Sequence, residues 1–318
     1  MNGGRARKRV RPFLQNDGRH FAVQPGAFCV AAIDEFVLQC GNACVRRIMT
    51  PFELNAYLDR IEWGRDTPPT LDTVGALLQA HMMHIPFENL DVLLGRPVRL
   101  DLDGLRDKLV RARRGGYCFE HMTLFAAVLE ALGFRPVRHS ARVVLRLPRT
   151  ESPRTHMFLT LAVKDETFVL DPAFGGTAAA LPIPLIECAP SGPGDATHWM
   201  VREGGYWIMR HLVGGRHTDG WVSTLEQDYP ADFELASHFT ATHPSSGFVN
   251  HLMLSVLKPD GRIGIIDRDV TVRRGGDIQS FQIADRAALR AILTEHFGFD
   301  LPDVEGLRVP MIPEWNPP

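Results

Sequence analysis

The residue of this sequence best suited to covalent chemistry is Cys118, which lies in the stretch RRGGYCFEH directly after two glycines. Apolar side chains follow at helical spacing, so Cys118 is predicted to occupy the first turn of a helix. At that position unpaired backbone amides and the positive end of the helix dipole stabilise a thiolate. Gly115 and Gly116 are expected to adopt backbone torsions closed to other residues and to keep side-chain bulk away from the sulfur. The arrangement suits a nucleophilic thiolate, although a lone cysteine also serves as a small buried apolar residue.

A cysteine nucleophile requires a base, and the base requires a group that orients it. His156 opens the strand-like run HMFLTLAV, and Asp171 lies near the end of the next such run, TFVLD. The short polar turn KDET joins the two runs, so they are predicted to pair as a hairpin with His156 and Asp171 near the same end. Taken singly, His156 could be a structural histidine and Asp171 a turn-forming carboxylate. In this order, the three residues predict a Cys-His-Asp triad in which Asp171 orients His156 and His156 holds Cys118 as a thiolate.

The elements that must position these residues change character along the chain. From Pro51 to about Leu132 apolar residues recur at helical spacing, with a stop at Pro86 and a C-cap at Gly133. DFELASHFTATHPSSG then predicts a helix running into a polar loop, and ADRAALRAILTEHFG a closing helix that ends at Gly298. The runs that predict strands are VRHSARVVLRL, HMFLTLAV, TFVLDPAFGG, GYWIMRHLV, FVNHLMLSVL and GRIGIIDRDVTVRRG. This order of elements predicts an α+β fold.

Composition restricts the class of function without identifying it. The chain has 318 residues, enough for about two or three domains. Its formal net charge of -2 gives no electrostatic case for nucleic acid or an anionic membrane as the main partner. No uninterrupted apolar run approaches the ~20 residues that span a bilayer. The five cysteines are widely scattered, which predicts free thiols in a reducing compartment and a cytoplasmic protein.

Residues 1–48 look unlike the rest of the chain. Their start, MNGGRARKRVRPF, is basic and glycine-rich and has no core signature behind it. We therefore expect a disordered extension, or translated sequence upstream of a start at Met49, rather than a nucleic-acid or targeting arm. CGNAC at 40–44 has no second ligand pair nearby, and HMMH at 81–84 has no third ligand in view. Neither stretch predicts a metal site.

Several motifs together resemble the arylamine N-acetyltransferase family. RRGGYCFEH is similar to its Arg-Gly-Gly-x-Cys-x-Glu signature, and IPFENLD (85–91) to the segment upstream of that cysteine. THMFLTLAV and VLDPAFGG resemble its histidine and aspartate segments, and THPSSGF (242–248) a motif of its third domain. The resemblance runs from about Met49 to the C-terminus. It implies an N-terminal helical bundle (49–135), a central antiparallel β-barrel (136–235) and a C-terminal α/β lid (236–318), with a papain-like Cys-His-Asp triad.

The resemblance also implies a ping-pong reaction. Cys118 would attack the acetyl thioester of acetyl-CoA, and the nitrogen of an arylamine, arylhydrazine or N-hydroxyarylamine would then take the acetyl group. His156 would move the protons in both halves. Acetyl-CoA is then a substrate, with no tightly bound cofactor and no metal. First-turn amides at Cys118 and Phe119 are expected to stabilise the tetrahedral oxyanion.

Carried over position by position, the resemblance assigns binding roles to further residues. The residues predicted to line the acceptor site are Phe87, Thr155, Phe174 and Phe248. An aromatic wall suits flat aromatic substrates, although any one phenylalanine could equally serve core packing. The residues predicted to contact CoA are Gly175, Gly176, Thr242, His243 and Ser245.

Two further pairs of residues affect the surroundings of the predicted triad. Arg114 and Glu120 are expected to form a salt-bridged pair that holds the cysteine turn. Pro172 and Ala173 depart from the family pattern after the aspartate, which leaves the triad complete and is expected to alter the wall beside Phe174.

Three other functions remain open at the level of sequence. A cysteine hydrolase, either a protease or transglutaminase-like, has the same triad order, but the motifs outside the triad argue against it. A family member that forms amide bonds in secondary metabolism would keep the fold and change the acceptor. A binding protein with a degraded site is disfavoured because Cys118, His156 and Asp171 are all present.

Overall fold

The computed structural model describes residues 1, 49–192, 196–213 and 215–315. The extension predicted at 1–48, together with CGNAC, lies outside this range apart from Met1. Residues 49–315 belong to one compact unit. Cys118 and Cys188 are both free thiols, as the cysteine pattern predicts.

The first part of this unit is helical, as its periodicity predicts. Its helical elements are α1 (Pro51–Arg60), α2 (Leu71–His84), α3 (Leu90–Leu93), α4 (Leu102–Leu105), a π-helical continuation of α4 (Arg106–Arg111) and α5 (Cys118–Ala131). Helix α1 begins with a capping box, in which the Glu53 amide donates to the Thr50 hydroxyl and the Thr50 amide to the Glu53 carboxylate. Helix α5 ends before Gly133, whose φ of 87° suits the position after a C-cap.

Helix α5 is the central element of the helical part because it is buried on nearly every side. Cys118, Phe119, Met122, Phe125 and Leu129 are each at most 2% exposed. They belong to a single apolar cluster with side chains of α1, α2 and the strands that follow. Burial on this scale fixes the start of the helix, and therefore Cys118, within a rigid core.

A seven-stranded antiparallel sheet follows. Its strands are β2 (Val137–Val143), β3 (Arg154–Val163), β4 (Glu166–Leu170), β5 (Ile183–Pro184), β6 (His198–Glu203), β7 (Tyr206–Val213) and β8 (Arg216–Ser223). They pair in the order β5-β4-β3-β2-β8-β7-β6. Two isolated bridges, Glu187 to Met200 and Ser191 to His198, connect the chain after β5 to β6 at the opposite edge. The sheet is therefore barrel-like and nearly closed.

The last part combines helices with a five-stranded antiparallel sheet. Its elements are α6 (Pro230–Thr242), α7 (Gly247–Asn250), β9 (Met253–Lys258), β10 (Gly261–Ile266), β11 (Asp269–Arg274), β12 (Asp277–Gln282) and α8 (Arg286–Ile292). The fifth strand is β1 (Phe87–Glu88), which comes from the helical part and pairs with β9. A π-helical turn, Leu293–Phe297, follows α8, and the helix ends at Gly298, as predicted.

Several strand predictions are wrong in extent. TFVLDPAFGG leaves the sheet after Leu170, and its two glycines belong to a 3₁₀ turn, Gly175–Thr177. FVNHLMLSVL begins as helix α7 because the Ser246 hydroxyl accepts from the Phe248 amide and caps a helical turn. Strands β1, β5, β6, β8 and β12 were not predicted. The broader prediction of a fold that mixes helices and sheets is confirmed.

No helix within the described residues has the length and apolar character needed to span a membrane.

Candidate active site

The turn before Cys118 is held by close backbone approach. A Cβ atom built on Gly115 would overlap the Pro86 carbonyl, and one on Gly116 would lie 2.5 Å from the Glu120 carboxylate. Neither glycine has a positive φ, so the expectation of special torsions is wrong. The two glycines are needed because no side chain fits.

The cysteine turn is also paired with β1. The Glu88 amide donates to the Gly116 carbonyl at 2.7 Å, and the Gly116 amide donates to the Pro86 carbonyl at 3.3 Å. Since Phe87 and Glu88 pair in turn with Ser255 and Leu254 of β9, the turn is connected to the five-stranded sheet.

A buried ionic network surrounds this turn, with partners other than those predicted. Arg114 contacts Glu88 at 2.6 Å and Asp91 at 3.2 Å, so its expected pairing with Glu120 is wrong. Lys108 pairs with Glu120 at 2.8 Å and with Asp91 at 2.7 Å. Glu120 also accepts from the Tyr117 amide at 3.0 Å, directly before Cys118. Burial raises the pKa of Glu120, and the Lys108 ammonium opposes that rise. Arg114 and Glu120 both support the turn, each through its own partner.

The predicted hairpin is confirmed and brings His156 to Asp171. Strands β3 and β4 pair with Val163 opposite Glu166, leaving a two-residue turn between them. His156 Nε2 lies 3.0 Å from Asp171 Oδ2 and 3.1 Å from Oδ1, and both side chains are almost fully buried. Since a carboxylate can only accept, His156 carries a proton on Nε2 and leaves Nδ1 for another partner.

Cys118 is that other partner. Burial alone would lower the pKa of His156, but the Asp171 charge, its hydrogen bond and a hydrogen bond with Cys118 raise that pKa to about 10. The Cys118 Sγ atom also lies 3.8 Å from the backbone carbonyl oxygen of Thr155. The structure therefore brings Cys118, His156 and Asp171 together, with Thr155 beside the sulfur.

A residue that the sequence did not single out completes this arrangement. The Trp221 indole Nε1–H donates to Asp171 Oδ2 at 2.8 Å, and the ring stacks on Phe158 at 4.1 Å. Trp221 lies on β8, a strand that the pattern did not predict. A solitary tryptophan in a half-polar run gives no signal of such a contact.

The predicted acceptor-site phenylalanines contact His156 or one another. The Phe174 ring meets the His156 ring edge-on at 5.0 Å, and Phe87 lies 6.1 Å from Phe248. All three belong to, or pack against, the apolar cluster that contains Cys118. Phe248 also contacts Tyr117, at 5.4 Å between centroids.

Asn89 fixes the position of Phe248. Its side-chain amide donates to the carbonyls of Phe248 and His251 at 2.8 and 2.7 Å, and its oxygen accepts from the Met253 amide. Asn89 lies within the quoted motif IPFENLD, but its contacts are about 160 residues away in sequence, beyond the reach of spacing arguments.

The predicted CoA contacts fall in two places. Gly175 and Gly176 lie in the 3₁₀ turn, where Gly175 has a φ of 61° and a Cβ on Gly176 would meet open space. Thr242, His243 and Ser245 lie at the end of α6, where His243 Nδ1 is 2.8 Å from the Ser245 hydroxyl. The Thr242 hydroxyl donates within its own helix, to the His238 carbonyl.

Comparison with known proteins identifies the family. An N-acetyltransferase family model matches residues 70–305, which include Cys118, His156 and Asp171. An arylamine N-acetyltransferase of Mycobacterium tuberculosis (strain H37Rv) is 36% identical over 257 residues, covering 79% of this chain and 91% of that protein. This chain belongs to the arylamine N-acetyltransferase family. The resemblance seen in the motifs is confirmed.

Other relatives of this arylamine N-acetyltransferase family member extend the comparison. The arylamine N-acetyltransferase / N-hydroxyarylamine O-acetyltransferase of Salmonella typhimurium is 34% identical over 264 residues, 81% of this chain and 92% of that protein. The solved structure of Mycobacterium marinum arylamine N-acetyltransferase in complex with CoA matches with a TM-score of 0.75 at 33% identity. It covers 79% of this chain and 94% of that one. Family membership makes the chain an acyltransferase.

Proposed function

We propose that this protein transfers the acetyl group of acetyl-CoA to arylamines, through a thioester on Cys118. The observation that carries the proposal is the contact of Cys118 with an imidazole whose other nitrogen is held by Asp171. Family membership supports the reaction, and the CoA complex of the M. marinum relative supports acetyl-CoA as a substrate.

In the first half of the reaction, the Cys118 thiolate attacks the carbonyl carbon of acetyl-CoA. The carbonyl π electrons move to oxygen, and first-turn amides at Cys118 and Phe119 are the proposed donors to that oxyanion. When the tetrahedral intermediate collapses, the bond to the CoA sulfur breaks and the proton on His156 Nδ1 passes to it. One thioester replaces another, so the acetyl-enzyme forms at little energetic cost.

In the second half, the amine nitrogen attacks the thioester carbonyl. His156, now neutral at Nδ1, accepts the proton that the nitrogen loses, and Cys118 leaves as a thiolate. Asp171 keeps the same contact throughout and stabilises the imidazolium, which is present at the start and forms again when the amine loses its proton.

Aromatic side chains provide the proposed acceptor site. Phe174 contacts His156, Phe87 contacts Phe248, and the Thr155 carbonyl lies beside the Cys118 sulfur. An apolar wall of this kind suits arylamines and arylhydrazines. The printed name of the Salmonella relative supports N-hydroxyarylamines as further acceptors.

The proposed CoA contacts are Gly175, Gly176, Thr242, His243 and Ser245. The open space at Gly176 and the exposed hydroxyl of Ser245 support such a role, because the first admits a ligand close to the backbone. The three-part division at 135 and 235 and the cytoplasmic location stay predictions.

The deciding experiment uses acetyl-CoA alone, with no amine. Intact-mass and peptide mapping should show one acetyl group on Cys118, with free CoA released in equal amount. Addition of an arylamine should then remove the adduct and yield the acetylated amine. Cys118→Ala should keep its thermal unfolding transition and form no adduct.

Two results would contradict the proposal. Acetyl transfer by Cys118→Ala would exclude the covalent route. Adduct loss to water at the same rate with and without amine would favour the cysteine hydrolase.

A further inference from the structure

His81, the first histidine of HMMH, belongs to a hydrogen-bonded chain of buried side chains. Among the residues placed in the structure, no group of three potential ligand side chains could hold an ion. His81 is instead fully buried, with its Nδ1 2.9 Å from the Tyr57 hydroxyl and its Nε2 2.7 Å from Nδ1 of His121. His121 Nε2 lies 3.1 Å from both the Pro86 and the Gly116 carbonyl oxygens. Three buried side chains thus form one continuous hydrogen-bonded chain, which the mechanism does not use.

The direction of every bond in this chain follows from its last partners. Carbonyl oxygens only accept, so His121 carries its proton on Nε2 and its Nδ1 must accept. His81 therefore donates from Nε2 and accepts at Nδ1, and the Tyr57 hydroxyl donates to His81. The tautomers of the two histidines are therefore coupled. If His81 carried its proton on Nδ1, its Nε2 lone pair would face the Nδ1 lone pair of His121.

Neutral imidazoles are required for this arrangement, and the surroundings provide them. Burial, His121 and Arg60 lower the pKa of His81. Burial lowers the pKa of His121 to about 4, with Lys108 acting in the same direction and the two carbonyls and Glu88 against it. Burial also raises the pKa of Tyr57, which keeps its hydroxyl a donor.

The hydrogen-bonded chain of Tyr57, His81 and His121 ends on the backbone segment that carries Cys118. Gly116 lies two residues before Cys118, and His121 lies on α5 one turn after it. The carbonyls that His121 holds are those of Gly116 and Pro86, which also accept from the Glu88 and Gly116 amides and so join the turn to β1 and to the residue before it. The Phe87 ring stacks near His121 at 6.4 Å, so the same imidazole also contacts the proposed acceptor wall.

We propose that Tyr57, His81 and His121 are positioning residues for Cys118, acting as a directed hydrogen-bond chain that fixes the Pro86 and Gly116 carbonyls. This inference rests on the proposed function, because it assigns the chain a role in presenting the thiolate to acetyl-CoA. Acetylation of Cys118 depends on the chain, and a displacement of the sulfur by a fraction of an ångström slows the reaction.

The test compares two substitutions of His121, one that keeps a hydrogen-bond donor and one that does not. His121→Gln can keep an N–H donor near the position of Nε2, whereas His121→Met fills the space without a donor. The measurement is the single-turnover rate of Cys118 acetylation, followed by intact mass at saturating acetyl-CoA, with thermal unfolding recorded for each variant. We expect His121→Met to be slower by ~10-fold or more and His121→Gln to lie within ~3-fold of wild type.

Val128→Ala is the matched control for loss of core packing. Val128 is fully buried on the same helix and is not part of the hydrogen-bonded chain. It should lower the unfolding temperature as much as His121→Met does and leave the acetylation rate unchanged at temperatures below unfolding.

A double-mutant cycle tests the chain itself. Tyr57 and His121 share His81 as their common partner. Tyr57→Phe should therefore slow acetylation in the wild-type background and slow it little further in the His121→Met background. Additive effects, or a wild-type rate in His121→Met, would overturn the positioning role. Failure of wild type itself to form the acetyl adduct would instead overturn the proposed function.

Discussion

At the scale of single residues, Asp171 is the group on which the site geometry depends most. It is fully buried, and it accepts from His156 on one side and from Trp221 on the other. Burial of a carboxylate is costly unless its charge is paired and hydrogen-bonded, and these two donors supply that compensation. The Trp221 indole donates to Oδ2, which His156 Nε2 also approaches, and because a carboxylate only accepts, His156 keeps its proton on Nε2.

Asp171→Asn tests this dependence directly. An asparagine keeps the shape but removes the charge that stabilises imidazolium, and its amide can hold His156 in the wrong tautomer. By analogy with other triads, we expect the rate of Cys118 acetylation to fall by roughly 10³-fold or more. The control is Asp219→Asn, which removes a carboxylate that pairs with Arg210 on β7, and it should retain most activity. An unchanged pH–rate profile in Asp171→Asn would contradict the assigned role.

Some residues of the site could be predicted from the sequence and others could not. Cys118, His156 and Asp171 were predictable because each stands at the end of an element that its own neighbours define. Trp221, and the true partners of Arg114 and Glu120, were not. Their contacts join residues far apart in sequence, and only the packed structure decides which charge meets which.

At the scale of elements, prediction succeeded where burial imposes a period. Helix α5 and the β3–β4 hairpin have buried positions that recur as a helix or strand requires. Strand β12 is exposed along its whole length and β8 along its first half, so neither shows an apolar alternation. Cross-strand hydrogen bonds, rather than a buried face, define these strands.

The turn before α5 gives a prediction at this scale. Gly115→Ala places a methyl group against the Pro86 carbonyl, which is backbone and cannot move without breaking the pairing of the turn with β1. We expect a loss of unfolding free energy of about 2 kcal/mol or more, together with slower acetylation of Cys118. Urea unfolding and the single-turnover assay measure the two effects.

Gly64→Ala is the control for Gly115→Ala. A Cβ atom at Gly64 meets no neighbour within 4 Å, so the substitution should change neither stability nor rate appreciably. Equal stability of the two variants would contradict the close-approach argument.

At the scale of the whole molecule, the last part of the chain forms part of the frame around the cysteine. Strand β1 comes from the helical part, yet it is an edge of the five-stranded sheet and pairs with Gly116 as well. Phe248, held by Asn89, reaches the same region from α7. The cysteine turn therefore depends on helices, barrel-like sheet and five-stranded sheet together.

The buried histidines give the whole molecule a two-sided pH dependence. The pKa of His156 is raised above its ordinary value of 6.5, so its contribution to stability is complete below that pH and is lost as pH rises toward about 10. The pKa of His121 is lowered to about 4 and that of His81 is lowered as well, so their contributions are complete above pH 6.5 and are lost as pH falls below it. These groups should give a maximum of unfolding free energy near neutral pH.

Urea unfolding between pH 4.5 and 9.5 checks this expectation. Each unit of pKa shift corresponds to about 1.4 kcal/mol, so the wild-type free energy of unfolding should fall by on the order of 3–5 kcal/mol on each side of the maximum. His121→Gln should flatten the acid side, and His156→Gln should flatten the alkaline side, because each removes the group whose protonation differs between the folded and unfolded states. His217→Gln, at an exposed position of β8, should leave both sides unchanged. An acid side that keeps its slope in His121→Gln would show that His121 takes up no proton on unfolding, and would contradict a neutral His121 in the folded protein.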